Sequence, residues 1–141
     1  MDYITRQALI DRFGETELIE LTDRSGSGAI DDAVLDRAVN DATAEINSYL
    51  EARYTLPLSA VPQVIKTLAA NIARYYLFDD RATEVVEARY TNAVKFLRAL
   101  GKGEVSLGLD DAGDATSPAG GPDFEAPDAV FSGDAKTLDD F

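Results

Sequence analysis

The sequence contains no cysteine, no histidine and no tryptophan. Without cysteine the chain can form no disulfide bond, no thiolate nucleophile and no cysteine-ligated metal site. Without histidine it lacks the commonest general base and the commonest ligand of transition metals. No stretch approaches the ~20 consecutive apolar residues that a membrane-spanning helix requires, so we expect no membrane partner.

Basic residues are also scarce. The chain has 13 lysine and arginine residues against 26 aspartate and glutamate residues, which gives a formal net charge of −13. A surface that binds nucleic acid gains affinity by neutralising phosphates with basic side chains, and this chain would repel the polymer instead. The basic residues between 74 and 102 could form a local basic face, although solvated charges on helix faces explain them more simply.

The composition changes near Gly103. The segment 104–141 carries ten acidic residues and one basic residue, whereas 1–103 has a net charge of only −4. Many acids together with repeated glycine and proline are typical of a segment that does not fold alone. We therefore predict a folded domain over 1–103 and an extended or disordered acidic C-terminal arm over 104–141.

Apolar residues are spaced widely along the acidic arm, where they could anchor it to grooves on a partner. The alternative is an arm whose aromatic residues have no function. The predicted anchors are Phe124, Phe131, Leu138 and Phe141.

Within the folded domain, apolar residues recur at helical spacing and predict five helices. Thr5, Asp31 or Asp32, and Thr83 are suited to cap three of them, and Gly14 is suited to end the first. The predicted helices span 5–13, 15–21, 31–53, 62–80 and 83–100. In the fourth helix, the inward face is expected to include Val64, Ile65 and Leu68.

These patterns predict an all-α fold, a small helical bundle of two short N-terminal helices and three longer helices, followed by the acidic arm. No period-two alternation is convincing within 1–103. A strand over 104–109 would need a partner, which a neighbouring chain could supply.

One loop resembles the first nine positions of a calcium-binding EF-hand loop. Asp23, Ser25, Ser27 and Asp31 supply oxygen atoms at the required positions, and Gly28 stands at the position of the tight turn. The twelfth position is Val34 instead of a bidentate glutamate, so calcium should bind weakly or not at all. The competing interpretation is a turn that links two helices and caps the second.

Nothing in the sequence indicates catalysis. The carboxylates of Glu15, Glu17 and Glu20 are explained by solvated helix ends, and serine nucleophiles would have no histidine to activate them. We therefore predict no enzymatic activity, no catalytic residue and no cofactor.

Several segments, taken in order, resemble the Mu-like phage and prophage head–tail connector proteins, also called neck or adaptor proteins. The resemblance covers about residues 1–109 and depends on both order and spacing. The segments are Tyr3-Ile4-Thr5, Leu9-Ile10-Asp11-Arg12-Phe13-Gly14, Leu18-Ile19-Glu20-Leu21-Thr22-Asp23, Ile30-Asp31, Val34-Leu35-Asp36-Arg37-Ala38, Ile46-Asn47-Ser48-Tyr49-Leu50, Arg53-Tyr54-Thr55-Leu56-Pro57-Leu58, Val61-Pro62, Ile72-Ala73-Arg74-Tyr75 and Asp79-Asp80-Arg81-Ala82.

This resemblance implies a structural virion protein without enzymatic activity. Connectors of this kind form a ring beneath the portal of the DNA-filled head, and a twelve-fold ring is expected. The implied partners are other copies of the chain, the portal protein and the tail-side neck proteins, and DNA would pass through the channel without specific binding. The implied location is the virion neck, after assembly in the host cytoplasm.

A second interface is predicted in the segment that follows the third helix, where Pro57 blocks regular pairing. Tyr54, Leu56 and Leu58 are expected to be exposed there and to contact a neighbouring subunit. Two other functions stay open: a small acidic regulatory or scaffold module that binds a basic protein through its C-terminal arm, and a calcium-responsive module that uses the 23–31 loop.

Overall fold

The computed structural model describes residues 2–109, which form five α-helices and a single 3₁₀ turn at Asp79–Arg81. The predicted all-α fold is therefore confirmed for this part of the chain. The helices are α1 (Arg6–Phe13), α2 (Glu15–Thr22), α3 (Asp32–Leu50), α4 (Gln63–Phe78) and α5 (Glu84–Gly101).

Three helices begin at the caps that the sequence predicts. The Thr5 hydroxyl accepts a hydrogen bond from the Ala8 N–H at 3.1 Å, and the Thr83 hydroxyl accepts one from the Val86 N–H at 3.2 Å. The Asp31 carboxylate caps α3. Each oxygen satisfies a backbone donor that has no partner within the first helical turn.

Helix α4 lies between α3 and α5 and packs against both. Ala69, Ala70 and Ala73 are completely buried on it, so the neighbouring helices can approach its backbone closely. Leu9 of α1 and Leu18 of α2 are also fully buried, and they attach the two short helices to the bundle. Short helices are unstable alone and depend on such tertiary packing.

The predicted inward faces are correct in register but not at every position. Of the inward residues predicted for α4, Ile65 and Leu68 are buried, whereas Val64 is 38% exposed. Helix α3 ends at Leu50, earlier than the predicted end near Arg53. Among the described residues, no helix is both long and apolar enough to cross a membrane.

Candidate functional site

An open groove of about 590 Å³ lies between α1, α4 and α5, and we call it the basic groove. Apolar side chains and three arginines line it, and no carboxylate among the described residues does. The lining residues are Arg12, Phe13, Val64, Thr67, Leu68, Asn71, Arg74, Arg89, Asn92, Ala93 and Phe96. A groove with this lining is suited to a ligand that is both apolar and acidic.

Arg74 is the arginine that helps to build the wall of the basic groove. Its guanidinium donates two hydrogen bonds to the Glu17 carboxylate, at 2.8 and 2.9 Å, and so joins α4 to α2. The same guanidinium lies 4.5 Å from the centre of the Phe13 ring. Because its charge is paired with Glu17 and its face is stacked, Arg74 acts mainly as a structural element.

Arg12 and Arg89 carry the free positive charge of the basic groove. Both side chains are exposed, and neither forms an ion pair within residues 2–109. Arg12 makes only a long contact, 3.5 Å, to the Thr67 hydroxyl. The two arginines come from different helices, so the sequence alone did not associate them.

A cluster of tyrosines surrounds Glu45 on the α3–α5 side of the bundle. The hydroxyls of Tyr76 and Tyr90 both donate hydrogen bonds to the Glu45 carboxylate, the latter at 2.9 Å. The Tyr75 and Tyr90 rings stack with centroids 4.0 Å apart. Burial, followed by the hydrogen bond to Glu45, raises the pKa of Tyr76 and of Tyr90 above the usual value. These hydrogen bonds and ring contacts therefore connect α3, α4 and α5.

In the predicted calcium loop, the Asp23 carboxylate accepts hydrogen bonds from the loop itself. The Ser27 N–H donates to one oxygen at 2.9 Å and the Gly28 N–H donates to the other at 2.7 Å. The hydroxyls of Ser25 and Ser27 also point to Asp23. These backbone donors, Gly28 foremost, hold the pKa of Asp23 below its usual value.

The last predicted calcium ligand, Asp31, serves the next helix. Its carboxylate accepts from the Ala33 and Val34 N–H groups, and its own N–H donates to the Thr22 hydroxyl at 2.9 Å. Within residues 2–109 no cluster of three acidic residues could hold a metal ion. The geometry favours the interpretation of this loop as a turn that links α2 to α3 and caps α3.

The predicted exposure of the Tyr54–Leu58 segment is wrong for two of its three named residues. Tyr54 and Leu58 are 4% and 2% exposed and belong to the core, and Leu56 is half-buried against it. Their apolar area is already covered within the subunit. Within the segment, Thr55 and Pro57 are exposed and Leu56 is half-buried, so these three residues offer surface to a neighbour.

Residues 104–109, which the sequence assigns to the arm, lie against the bundle at this same place. The Arg53 guanidinium donates hydrogen bonds to the Leu100 and Val105 carbonyls at 3.0 and 2.7 Å. The Leu107 N–H donates to the Tyr54 hydroxyl at 3.3 Å, and Leu109 is buried. The rest of the arm therefore starts from a fixed point beside Tyr54. The predicted anchors Phe124, Phe131, Leu138 and Phe141 lie outside the described residues.

The charges of the folded domain are divided between its two halves. Residues 2–50, which include α1 to α3, carry eleven acidic and four basic side chains, a net charge of −7. Residues 63–102, which include α4 and α5, carry four acidic and seven basic side chains, a net charge of +3. Helix α5 exposes Lys95 and Arg98, and Lys102 is exposed directly after it, while α3 exposes Asp36 and Asp41. The two halves of the folded sequence thus carry net charges of opposite sign.

Taken together, residues 2–109 define a small all-α protein with open grooves on its surface. The chain belongs to the family described as Bacteriophage Mu, Gp36, whose model matches residues 3–126.

Two relatives that align with the chain over most of their length support this assignment. The chain is 33% identical to the Mu-like prophage FluMu protein gp36 of Haemophilus influenzae over 129 residues, which is 92% of each chain. It is 36% identical to Gene product J of Escherichia phage Mu over 121 residues, which is 85% of each chain.

Proposed function

We propose that this protein is a structural component of the virion, a head–tail connector that forms a ring beneath the portal and joins the DNA-filled head to the tail. Membership of a Mu phage family supports a structural or morphogenetic role and not an enzymatic one. The proposed location is the neck of the particle, and the proposed partners are the portal protein and the tail-side neck proteins.

The observation that carries the proposal is the division of charge between the two halves of the folded domain. A closed ring needs a head-to-tail contact in which one face of each subunit meets a different face of the next. Exposed acidic residues of α3, such as Asp36 and Asp41, and exposed basic residues of α5, such as Lys95 and Arg98, would supply the two complementary faces. Such complementarity guides the orientation and rate of association more than it adds affinity.

In this proposal twelve copies close the ring, and the acidic arm extends the contact area of a body that is small by itself. The net charge of −13 per subunit would keep DNA from adhering to the channel wall during its passage. That part of the proposal requires the acidic residues to face the channel, and a ring with the basic side chains of α5 inside would contradict it.

The experiment is to inactivate the gene in a phage that encodes this chain and to examine the particles by electron microscopy. A connector is expected to leave filled or leaking heads and separate tails, and expression of the intact chain from a plasmid should restore joined particles. Mass spectrometry of purified virions should detect the protein in a fixed ratio to the portal protein. Its absence from mature virions would overturn the proposal.

The same experiments separate the connector from the regulatory or scaffold module that binds a basic protein. Such a module would stay monomeric with portal protein present, would be absent from the particle, and would lose its binding when the arm is removed. The similarity to phage Mu proteins includes the whole folded domain as well as part of the arm, and it supports a structural or morphogenetic role in a phage.

A further inference from the structure

We infer that the basic groove is the docking site of the chain's own C-terminal arm, and that the segment Asp123-Phe124-Glu125 occupies it. The inference does not depend on the proposed function, because it concerns a single subunit in solution. It is based on the chemistry of the groove, the charge pattern of the arm, and the place where the arm leaves the bundle.

The groove offers two free positive charges around an apolar surface. Arg12 and Arg89 are exposed and form no ion pair within residues 2–109, while Phe13 and Phe96 are only half-buried on the groove wall. Val64 on α4 also lines the groove and is 38% exposed. A phenylalanine inserted against these three side chains would remove apolar surface from water.

The sequence of the arm supplies the complementary pattern at one place. Phe124 stands between Asp123 and Glu125, and the segment 123–131 contains three acids and no basic residue. By contrast, Lys136 lies close to the more distal anchors Leu138 and Phe141 and reduces their negative charge. The segment around Phe124 therefore matches two arginines that flank an apolar surface.

The arm is long enough to reach the groove within one molecule. Residues 110–122 separate the buried Leu109 from Asp123, and thirteen extended residues span roughly 43 Å at about 3.3 Å each. A compact body of this length has a radius of gyration of only about 13 Å. A tethered segment has an effective concentration in the millimolar range, so at micromolar protein the subunit's own arm should outcompete the arm of another copy.

The experiment uses the full chain, which has no native cysteine, so that one spin label can be attached at Ala126→Cys. Docking predicts paramagnetic broadening of the backbone amides of Phe13, Val64 and Phe96. The amides of the 24–29 loop, which does not line the groove, should keep their intensity. Raising the salt from about 0.1 M to about 1 M shortens the Debye length from about 10 to about 3 Å and should reduce the broadening. Equal broadening everywhere, or none at the groove, would overturn the inference.

Matched variants test the assigned contacts. Arg89→Glu should abolish the broadening, whereas Arg81→Glu, the same charge change at an exposed position outside the groove, should preserve it. In the arm, Phe124→Ser should abolish it and Phe141→Ser should preserve it. If Arg89→Glu and Arg81→Glu behave alike, the groove is not the docking site.

A mixing experiment distinguishes the subunit's own arm from that of another copy. Isotope-labelled protein without the spin label is mixed with spin-labelled protein of natural isotope content. Docking within one molecule predicts no broadening in the mixture at micromolar concentration. Broadening of the groove amides in the mixture would show that a neighbour's arm is the occupant and would contradict the inference.

Discussion

At the scale of single residues, the Asp23 carboxylate stabilises the loop between α2 and α3 by accepting hydrogen bonds from its backbone. Both oxygens of Asp23 accept backbone hydrogen bonds from the turn between α2 and α3, at Ser27 and Gly28. The buried Thr22 adds a second connection, because its hydroxyl donates to the Leu18 carbonyl and accepts from the Asp31 N–H. The shape of the loop therefore depends on oxygen atoms that a calcium loop would direct at the ion.

Asp23→Asn should lower the denaturation midpoint at neutral pH, because the neutral amide is a weaker acceptor for the Ser27 and Gly28 N–H groups. The lowered pKa of Asp23 means that the native state favours the carboxylate. This contribution is present above the unfolded-state pKa of 3.8 and is lost as the pH falls through the native value. In denaturant unfolding, the difference in midpoint between the wild type and Asp23→Asn should therefore become smaller as the pH is lowered.

The control for this substitution is Asp36→Asn, an exposed position on α3 whose side chain forms no hydrogen bond within residues 2–109. It should leave the midpoint nearly unchanged at both pH values. A calcium titration of the wild type by calorimetry completes the test. Strong heat of binding at this loop would show that the ion, and not the backbone, is the proper partner of Asp23.

The Glu45 cluster predicts the behaviour of the protein in alkali. The pKa of Tyr76 is raised from 10.0 by burial and by the hydrogen bond to Glu45, so above pH 10 the unfolded state loses a proton that the native state retains. The contribution of Tyr76 to stability should be constant below that pH and should fall as the pH rises above it. Tyr76→Phe should flatten this alkaline slope and cost about 1 kcal/mol at neutral pH through the lost hydrogen bond.

Thermal unfolding from pH 7 to 11 measures both effects of Tyr76→Phe. Tyr49→Phe is the matched control, because the Tyr49 hydroxyl forms no hydrogen bond among residues 2–109. An alkaline slope that is the same in Tyr76→Phe as in the wild type would contradict the assignment.

At the scale of helices, the junction between α1 and α2 depends on a single glycine. Gly14 ends α1 and precedes α2 with φ of 91° and ψ of 145°, a backbone conformation available almost only to glycine. An added Cβ would meet no atom within 4 Å, so the constraint is on the backbone and not on space. Gly14→Ala should therefore destabilise the protein by about 1–3 kcal/mol without any steric clash.

Gly101→Ala is the comparison for Gly14→Ala, since Gly101 lies at the end of α5 with a helical backbone. Its added Cβ would be 3.4 Å from the Tyr49 carbonyl oxygen, at the edge of ordinary contact. This substitution should leave the denaturation midpoint unchanged or raise it slightly. If both substitutions lower the stability equally, side-chain crowding, and not the backbone conformation of Gly14, causes the destabilisation.

Helix boundaries were accessible from the sequence because their signals are local. Thr5, Asp31 and Thr83 are caps in the structure as predicted, since a cap needs only an oxygen and a backbone N–H two or three residues later. Burial outside the helices was not accessible in the same way. Tyr54 and Leu58 looked exposed beside Pro57, but both side chains are buried in the core, and the Tyr54 hydroxyl accepts a hydrogen bond from the distant Leu107 N–H.

The basic groove escaped the sequence analysis for a related reason. Arg89 belongs to the recognised basic stretch of the second half, but Arg12 lies far away in the sequence and comes close only when α1 docks on α4. Val64 fits the inward period of α4, yet no neighbouring helix covers it. A periodic pattern gives the face of a helix, whereas the packing of the other helices decides how much of that face is buried.

At the scale of the whole molecule, the division of charge makes a prediction about assembly that does not require a known ring structure. If the surface of α1 to α3 meets the surface of α4 and α5 of the next subunit, reversing either surface alone should block assembly with the portal protein. The two variants are Asp36→Lys with Asp41→Lys on α3, and Lys95→Glu with Arg98→Glu on α5. All four side chains are exposed, so the subunit should stay folded, which circular dichroism can verify.

A mixture of the two variants, and a variant that carries all four substitutions, should each assemble again, because every contact then joins opposite charges. In the mixture the variants must alternate around the ring, which requires an even number of subunits, and a ring of twelve satisfies this condition. An odd-numbered ring would assemble from the four-substitution variant but not from the mixture. Electron microscopy of each sample measures the outcome, and a single-surface variant that forms rings as readily as the wild type would refute the head-to-tail contact.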